Sequence, residues 1–262
     1  MAAGAWRIAG ASAVGTSHLK SGAPCQDAFR HSVFTSPAEG EVVLLTVSDG
    51  AGSARFADVG ADLACREFAA NLELYLADGN CVASLEAGHI RKWLDNVVEA
   101  LAVRAAAEEA VLRDYACTFL GAILSNTHAA FVQVGDGAIV VREGPEDWCY
   151  IFWPQHGEYI NTTRFITESA SLDLLNFAVT SNVINELAIF SDGIEPLVLH
   201  YATNTVHSPF FNEMIAPVRA LPEAGFDTTL SQQLGSYLSS PQICSRTDDD
   251  KTLLLASRAG TA

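Results

Sequence analysis

The sequence predicts an α+β protein in which helices cover antiparallel sheets. The order of patterns carries this: strands first, a pair of helices, a run of strands, a second helix pair and a closing strand. The central strand segments are short, apolar and separated by turn residues, as in an antiparallel meander. No repeat, low-complexity tract or linker divides the chain, so residues 1–262 read as a single domain.

From Trp6 to about Thr35 the pattern is strand-like and punctuated by Gly and Ser. "VVLLTV", within Glu41 to Ser48, is continuous and β-branched, the mark of a buried strand. A helix is expected from Phe56 to Leu76, with Phe56, Val59, Leu63, Phe68, Leu72, Tyr75 and Leu76 near one face. A second is expected from Ser84 to Tyr115, with the stripe Ile90, Trp93, Leu94, Val97, Val98 and Leu101, Ser84 as N-cap and Glu86 nearby. "CTFLGAILSN", "HAAFVQVGD", "GAIVVREG" and "WCYIFWP" form the meander, and Asp136-Gly137 is a hairpin signal between two of them. Leu187 to Phe190 is another buried strand. "SPFFNEMIAPVRAL" and "DTTLSQQLGSYLSS" are amphipathic helices, the first with Pro209 near its start, and "TLLLA" closes the fold.

The formal net charge of −16 argues against nucleic acid or an anionic membrane as partner. Six cysteines without C-x-x-C spacing read as small core residues of a reducing compartment rather than a zinc site or a disulfide framework. The N-terminal apolar run is too short for a signal peptide, and no stretch approaches the roughly 18 apolar residues of a membrane span. The expected location is the cytoplasm.

Four aspartates stand at strand ends or edges: Asp49 in "TVSDGAG", Asp136 in "VQVGDGAIV", Asp192 in "IFSDGIEP" and Asp249 in "TDDDKTLLLA". Each alone is a turn residue, since Asp bonds its own backbone and Gly accepts positive φ. Gathered together they would repel one another unless something positive sat among them. Only fifteen Lys and Arg are present, with Arg55, Arg246 and Lys251 near these motifs. A hard divalent cation is the economical alternative, since Mg²⁺ prefers oxygen ligands and needs only a few carboxylates. Gly50 lets the backbone turn closely enough for a carbonyl to join the shell.

The ordered set "GTSHLKSGAPCQDAF", "SDGAG", "GDG", "SDGIEPL" and "DDDKT" resembles the metal-dependent Ser/Thr protein phosphatases of the type 2C (PPM) superfamily, compact bacterial branch. The match runs from Gly15 to Ala256. It implies two antiparallel sheets forming a β-sandwich flanked by helices on both faces, and a bimetal site for Mg²⁺ or Mn²⁺. By resemblance Asp49 bridges two ions, Gly50 offers its carbonyl, Asp192 and Asp249 complete the other shell, and Asp136 with Asp192 matches a weaker third position. Asp27 orients water from outside the ligand set, a task for which Gln26 also qualifies. The implied activity is hydrolysis of phosphoserine and phosphothreonine in proteins, the products of Ser/Thr kinases, through a metal-activated water. A rival reading is a weak or inactive descendant that binds a phosphorylated or regulatory partner. Cys25 as nucleophile lacks the Gly-rich phosphate loop and following Arg that such chemistry needs.

The chain departs from the family at two places. Gly22 stands where many members carry a phosphate-binding Arg, and Ala51 where eukaryotic relatives often have His. Lys20 and Arg55 are the candidates to grip phosphate instead. His18 is a third, as a phosphate contact or proton donor, or as a loop histidine bonded to backbone.

Overall fold

The structure is a computed structural model that describes residues 5–144, 147–155, 163–168 and 172–259. In chain order the first half contains β1 (Trp6–Ala13), α1 (Thr16–Ser21), β2 (Asp27–Ser36), β3 (Gly40–Asp49), α2 (Ala57–Ala77), α3 (Ala87–Ala107), β4 (Phe119–Leu124) and β5 (Ala129–Val134). Then come β6 (Ala138–Arg142), β7 (Cys149–Tyr150), β8 (Asn176–Thr180), β9 (Glu186–Phe190), α4 (Glu195–Val198), β10 (Leu199–His200) and β11 (Thr205–Val206). The last elements are α5 (Ser208–Arg219), β12 (Gly225–Phe226), α6 (Thr228–Leu238), α7 (Pro241–Cys244) and β13 (Lys251–Arg258). They form two compact units, each discontinuous in sequence. The first unit comprises Met1–Cys25, Gly137–Trp153 and Asn182–Ala262, and the second Gln26–Asp136 and Pro154–Ser181. The α+β class, with antiparallel sheets and helices packed on them, is as expected.

In the second unit a five-stranded antiparallel sheet has the order β2-β3-β4-β5-β8. Residues 42–48 of β3 are buried without a break, which is why the strand reads as continuous rather than alternating. α2 and α3 cover the face bearing Val42, Leu44, Ala130 and Val132, through Phe68, Leu72, Ile90, Trp93 and Leu94. Each such aliphatic or aromatic side chain contributes about 1.5–3 kcal/mol on full burial. The inward face of α2 is mostly small: Ala57, Gly60, Ala61, Ala64 and Cys65 are buried, whereas Val59 and Leu63 are only half-buried. Small residues let the helix lie close. A Cβ on Gly60 would stand 2.3 Å from the Tyr115 carbonyl oxygen.

The first unit is a six-stranded sheet of order β12-β1-β13-β9-β6-β7, antiparallel except for the β1–β12 pair. α5 and α6 cover one face, packing Phe211, Ile215, Val218, Leu234 and Leu238 on Ala9, Ala11, Ala13, Phe190 and Leu255. Asp227 caps α6 by accepting the Leu230 N–H at 2.6 Å. The buried carboxylate of Glu186 on β9 pairs with Arg142 of β6 and, at 2.6 Å, with Arg219 at the end of α5. A buried charge paired on both oxygens ties helix to sheet, and that hydrogen bond raises the pKa of Arg219.

Three expectations change. The Asp136-Gly137 hairpin is absent: β5 pairs with β4 and β8, while β6 pairs with β9 and β7. Gly135 (φ 98°) and Gly137 (φ 82°) turn the chain on either side of Asp136, and it leaves one sheet for the other. α1 was not expected; six residues are too few for a periodic signal. The second long helix starts at Ala87 behind Glu86, not at Ser84, which ends a short 3-10 turn. It also stops at Ala107 instead of Tyr115. Glu109 takes the left-handed conformation (φ 53°), and the N–H groups of Glu109 and Ala110 bond Ala106 and Ala105 carbonyls at 3.4 and 2.9 Å. This is the glycine-type helix stop built with a glutamate.

A left-handed non-glycine residue costs roughly 1–2 kcal/mol, so Glu109→Gly is expected to stabilise the chain by about 1 kcal/mol. The midpoint of urea denaturation should rise; an unchanged or lower midpoint would contradict this account of how α3 ends.

Candidate metal centre

In the second unit the pairing of β2 with β3 sets Asp27 directly opposite Asp49. Beyond Asp49 the chain is pinned at once. Gly50 N–H donates to the Gln26 carbonyl at 3.1 Å, and Ala51 N–H to that of Ala116 at 2.8 Å. A Cβ on Gly50 would lie 2.7 Å from the main chain of both Ala57 and Gln26, so the position is closed to every other residue. Thr118 does most of the holding. Its hydroxyl oxygen accepts the Asp49 N–H at 2.9 Å, its own N–H donates to the Asp49 carbonyl at 2.8 Å, and its carbonyl accepts the Ser48 hydroxyl at 2.6 Å. The Asp49 main chain is thereby fixed while its side chain stays half-buried.

Asp136 reaches the same place from the other end of the sheet's chain path. Gly135 packs on Thr118, where a Cβ would come within 2.7 Å of the Thr118 methyl carbon, and the Thr163 hydroxyl donates to the Asp136 carboxylate. Carboxylate oxygens of Asp49 and Asp136 lie within 4.8 Å of each other. Two full negative charges at that spacing repel by on the order of 3 kcal/mol at an effective dielectric of about 20. A divalent cation with oxygen preference removes that repulsion, and this donor set suits it.

In the first unit β9 ends against the start of β13. Ser191 N–H donates to the Thr252 carbonyl at 3.2 Å, and its hydroxyl oxygen accepts the Thr252 N–H at 2.9 Å. Asp192, half-buried, then opens a 3-10 turn that runs into α4. The glycine after it has a steric reason: a Cβ on Gly193 would be 1.9 Å from the Asp250 carbonyl oxygen. Asp249 is exposed and its carboxylate accepts the Asp250 N–H at 2.8 Å. Its carbonyl accepts from the Lys251 ammonium at 2.8 Å, although Lys251 is fully buried.

His18 is no loop histidine bonded to backbone: its Nδ1 lies 2.9 Å from the buried Asp250 carboxylate, whose other oxygen accepts the Gly15 N–H at 2.6 Å. Lys20 is exposed, as is Arg55, whose guanidinium stacks 4.6 Å from the Phe56 ring centre. Gly22, at the family's arginine position, ends α1 in the left-handed conformation (φ 74°), which glycine adopts more readily than any residue with a Cβ. The site residues not anticipated from sequence are Thr118, Thr163, Asp250 and the buried Glu195, which accepts the Gly137 N–H at 2.8 Å. Their partners are distant in the chain, so no local pattern announces them. Burial pushes the thiols of Cys65 and Cys117 up to about 12, leaving both unreactive at neutral pH.

Residues 14–239 match the family model for protein phosphatase 2C. A curated relative, serine/threonine-protein phosphatase 3 of Escherichia coli (strain K12), is 36% identical over 251 residues, covering 96% of this chain and 98% of the relative. Among solved structures, the serine/threonine phosphatase Stp1 from Staphylococcus aureus aligns with a TM-score of 0.62 at 15% identity, covering 97% of this chain and 95% of that one. The catalytic domain of the serine threonine protein phosphatase PstP, in complex with two manganese ions, aligns with a TM-score of 0.58 at 15% identity over 97% and 99%. The chain belongs to the protein phosphatase 2C family. Metal-dependent removal of phosphate from proteins is the chemistry of that family.

The closeness of Gly193 to Asp250 generates a steric test. Gly193→Ala is expected to lower stability by about 1–3 kcal/mol, as overpacking does, or several degrees in Tm. Gly52→Ala, with nothing within 4 Å of its Cβ, serves as control and should melt like the wild type. Equal melting temperatures for the two variants would contradict the close approach.

Proposed function

We propose that residues 1–262 act as one catalytic domain that hydrolyses phosphoserine and phosphothreonine in proteins, using Mg²⁺ or Mn²⁺. The observation that carries this reading is the approach of the Asp49 and Asp136 carboxylates to within 4.8 Å beside a glycine that only close main-chain contact explains. The proposed ligands are Asp49, Asp136, Asp192 and Asp249, with the Gly50 carbonyl, for two ions and a third, weaker position. All are hard oxygen donors, which favours Mg²⁺ or Mn²⁺ over softer metals. The manganese held by PstP supports the same choice.

Bound divalent ions supply acidification of a water and neutralisation of charge on the phosphoryl oxygens. The chain's own residues do the rest. Asp27, across from Asp49, accepts a hydrogen bond from the attacking water and orients it, with Gln26 beside it. Asp49 and Asp136 concentrate negative charge that holds the ions, and Thr118 keeps Asp49 from recoiling when they are absent. Lys20 and Arg55 are the proposed cations for the outward phosphate oxygens; either gives a weaker grip than a fixed bidentate arginine. The substrates are then products of Ser/Thr kinases. The charge of −16 disfavours nucleic acid and membrane surfaces, and among the described residues no helix is long and apolar enough to cross a membrane. Six free thiols fit the reducing cytoplasm.

Mn²⁺ at a hundred times its dissociation constant should stabilise the wild type by about 2.7 kcal/mol, read as a raised Tm that EDTA reverses. Asp49→Asn and Asp192→Asn are expected to lose that shift. Their turnover of a phosphothreonine peptide should fall by at least the roughly 10–100-fold that changes around metal ligands cost. Wild-type turnover in either purified variant, or no Tm shift with metal in the wild type, would overturn the assignment.

A further inference from the structure

Breaking a phosphoserine or phosphothreonine ester expels an alkoxide, which demands a proton as the bond breaks; p-nitrophenolate leaves without one. In the first unit the structure holds a pair built for such a transfer. Asp250 is buried, with 3% of its side chain exposed, and both its oxygens are engaged: one accepts the Gly15 N–H at 2.6 Å, the other meets His18 Nδ1 at 2.9 Å. The His18 side chain is 16% exposed, so the ring is held from inside while part of it remains reachable. A carboxylate accepts, so Nδ1 carries the hydrogen of that bond and Nε2 is the ring atom that can trade a proton. Orientation of a histidine by a buried carboxylate through Nδ1 is a recurring arrangement in proton-transfer sites.

The pair is also fastened next to the Asp192 turn. The Asp250 carbonyl lies against Gly193, and α1 is docked on the same segment by the Ser17 N–H and hydroxyl, both donating to the Asp248 carbonyl at 3.0 and 2.7 Å. A movement of Asp250 therefore moves both the histidine and the turn that carries Asp192.

We propose that His18 is the proton donor to the leaving alcohol and that Asp250 is its positioning residue; this rests on the phosphatase reading above. In the step, the oxygen of water forms the new bond to phosphorus. The bond from phosphorus to the side-chain oxygen breaks, its electron pair stays on that oxygen, and the proton from Nε2 of the doubly protonated ring makes it the alcohol. The proton released by the attacking water returns through solvent to Nε2.

The test is steady-state kinetics with Mn²⁺ on a phosphothreonine peptide and on p-nitrophenyl phosphate, for the wild type, His18→Asn and Asp250→Asn. Asparagine at 18 keeps an amide N–H near the place of Nδ1, so the anchor survives while the donor is deleted. Expected in His18→Asn is a fall in kcat on the peptide of about 10²–10⁴, with little change in KM and near wild-type turnover of p-nitrophenyl phosphate. Asp250→Asn should show the same split to a smaller degree. Equal losses on both substrates would reduce the pair to a structural fastener, and no loss on either would remove it from the reaction; each overturns the proposal. Turnover of both substrates by the wild type upholds the phosphatase reading independently, whereas a wild type inactive on both would defeat that reading and this one together.

Discussion

Main chain pressed against main chain is the constraint on which the local geometry rests. At Gly50 and at Gly193 a strand has just ended, the next element starts within a few residues, and a third segment crosses with no space for a Cβ. Only glycine satisfies such a crossing, and once it is satisfied the preceding aspartate has no freedom left in its backbone. The side chain alone remains adjustable. This explains why an acidic residue can stand at each position without the turn giving way to charge repulsion.

The hydrogen bonds around these turns follow a common plan. Ser48 and Ser191, each preceding its aspartate, use their hydroxyl groups to lock the end of their strand to a neighbouring chain segment: Ser48 donates to Thr118, and Ser191 accepts from Thr252. The serine of Ser-Asp-Gly is thus a clamp, the aspartate the group presented and the glycine the clearance. Thr118 adds a second clamp in the second unit, since it holds both main-chain polar groups of Asp49. Hydroxyl and main-chain groups bonded in this way make a rigid support for the aspartate that each turn presents.

How much of this was legible depends on the distance over which a signal acts. Buried strands ending in Ser-Asp-Gly were visible because apolar runs and glycine are local features. α2 and the C-terminal helices are visible through apolar periodicity, helped at α5 by Pro209 near its start. Asp136-Gly137 is ambiguous in sequence because the same dipeptide serves a hairpin and a crossing between sheets; the discriminating feature, positive φ at Gly135 as well, is a property of the folded chain. The end of α3 carries no local signal because a glutamate, Glu109, sits where glycine is usual. The contact of His18 with Asp250 spans 232 residues and that of Asp49 with Thr118 spans 69, so neither could be read from spacing. Gly22 was visible as a departure, but its role in ending a six-residue helix was not.

The placement of β1 has a consequence for how the chain is made. Its two strand neighbours are β13, paired from Trp6↔Arg258 to Ala13↔Lys251, and β12, paired at Arg7↔Gly225 and Ile8↔Phe226. On a ribosome the first strand therefore emerges long before either partner exists, and at about 5–20 residues per second the wait is on the order of ten to fifty seconds. The second unit has all its strands once residue 180 is out, so it can assemble while the N-terminal segment is still unpaired. An open, alanine-rich strand is a template for pairing with other chains during that interval. Pairing with β13 closes that edge along its whole length, which makes residues 251–258 the kinetic gatekeeper of solubility for the newborn protein.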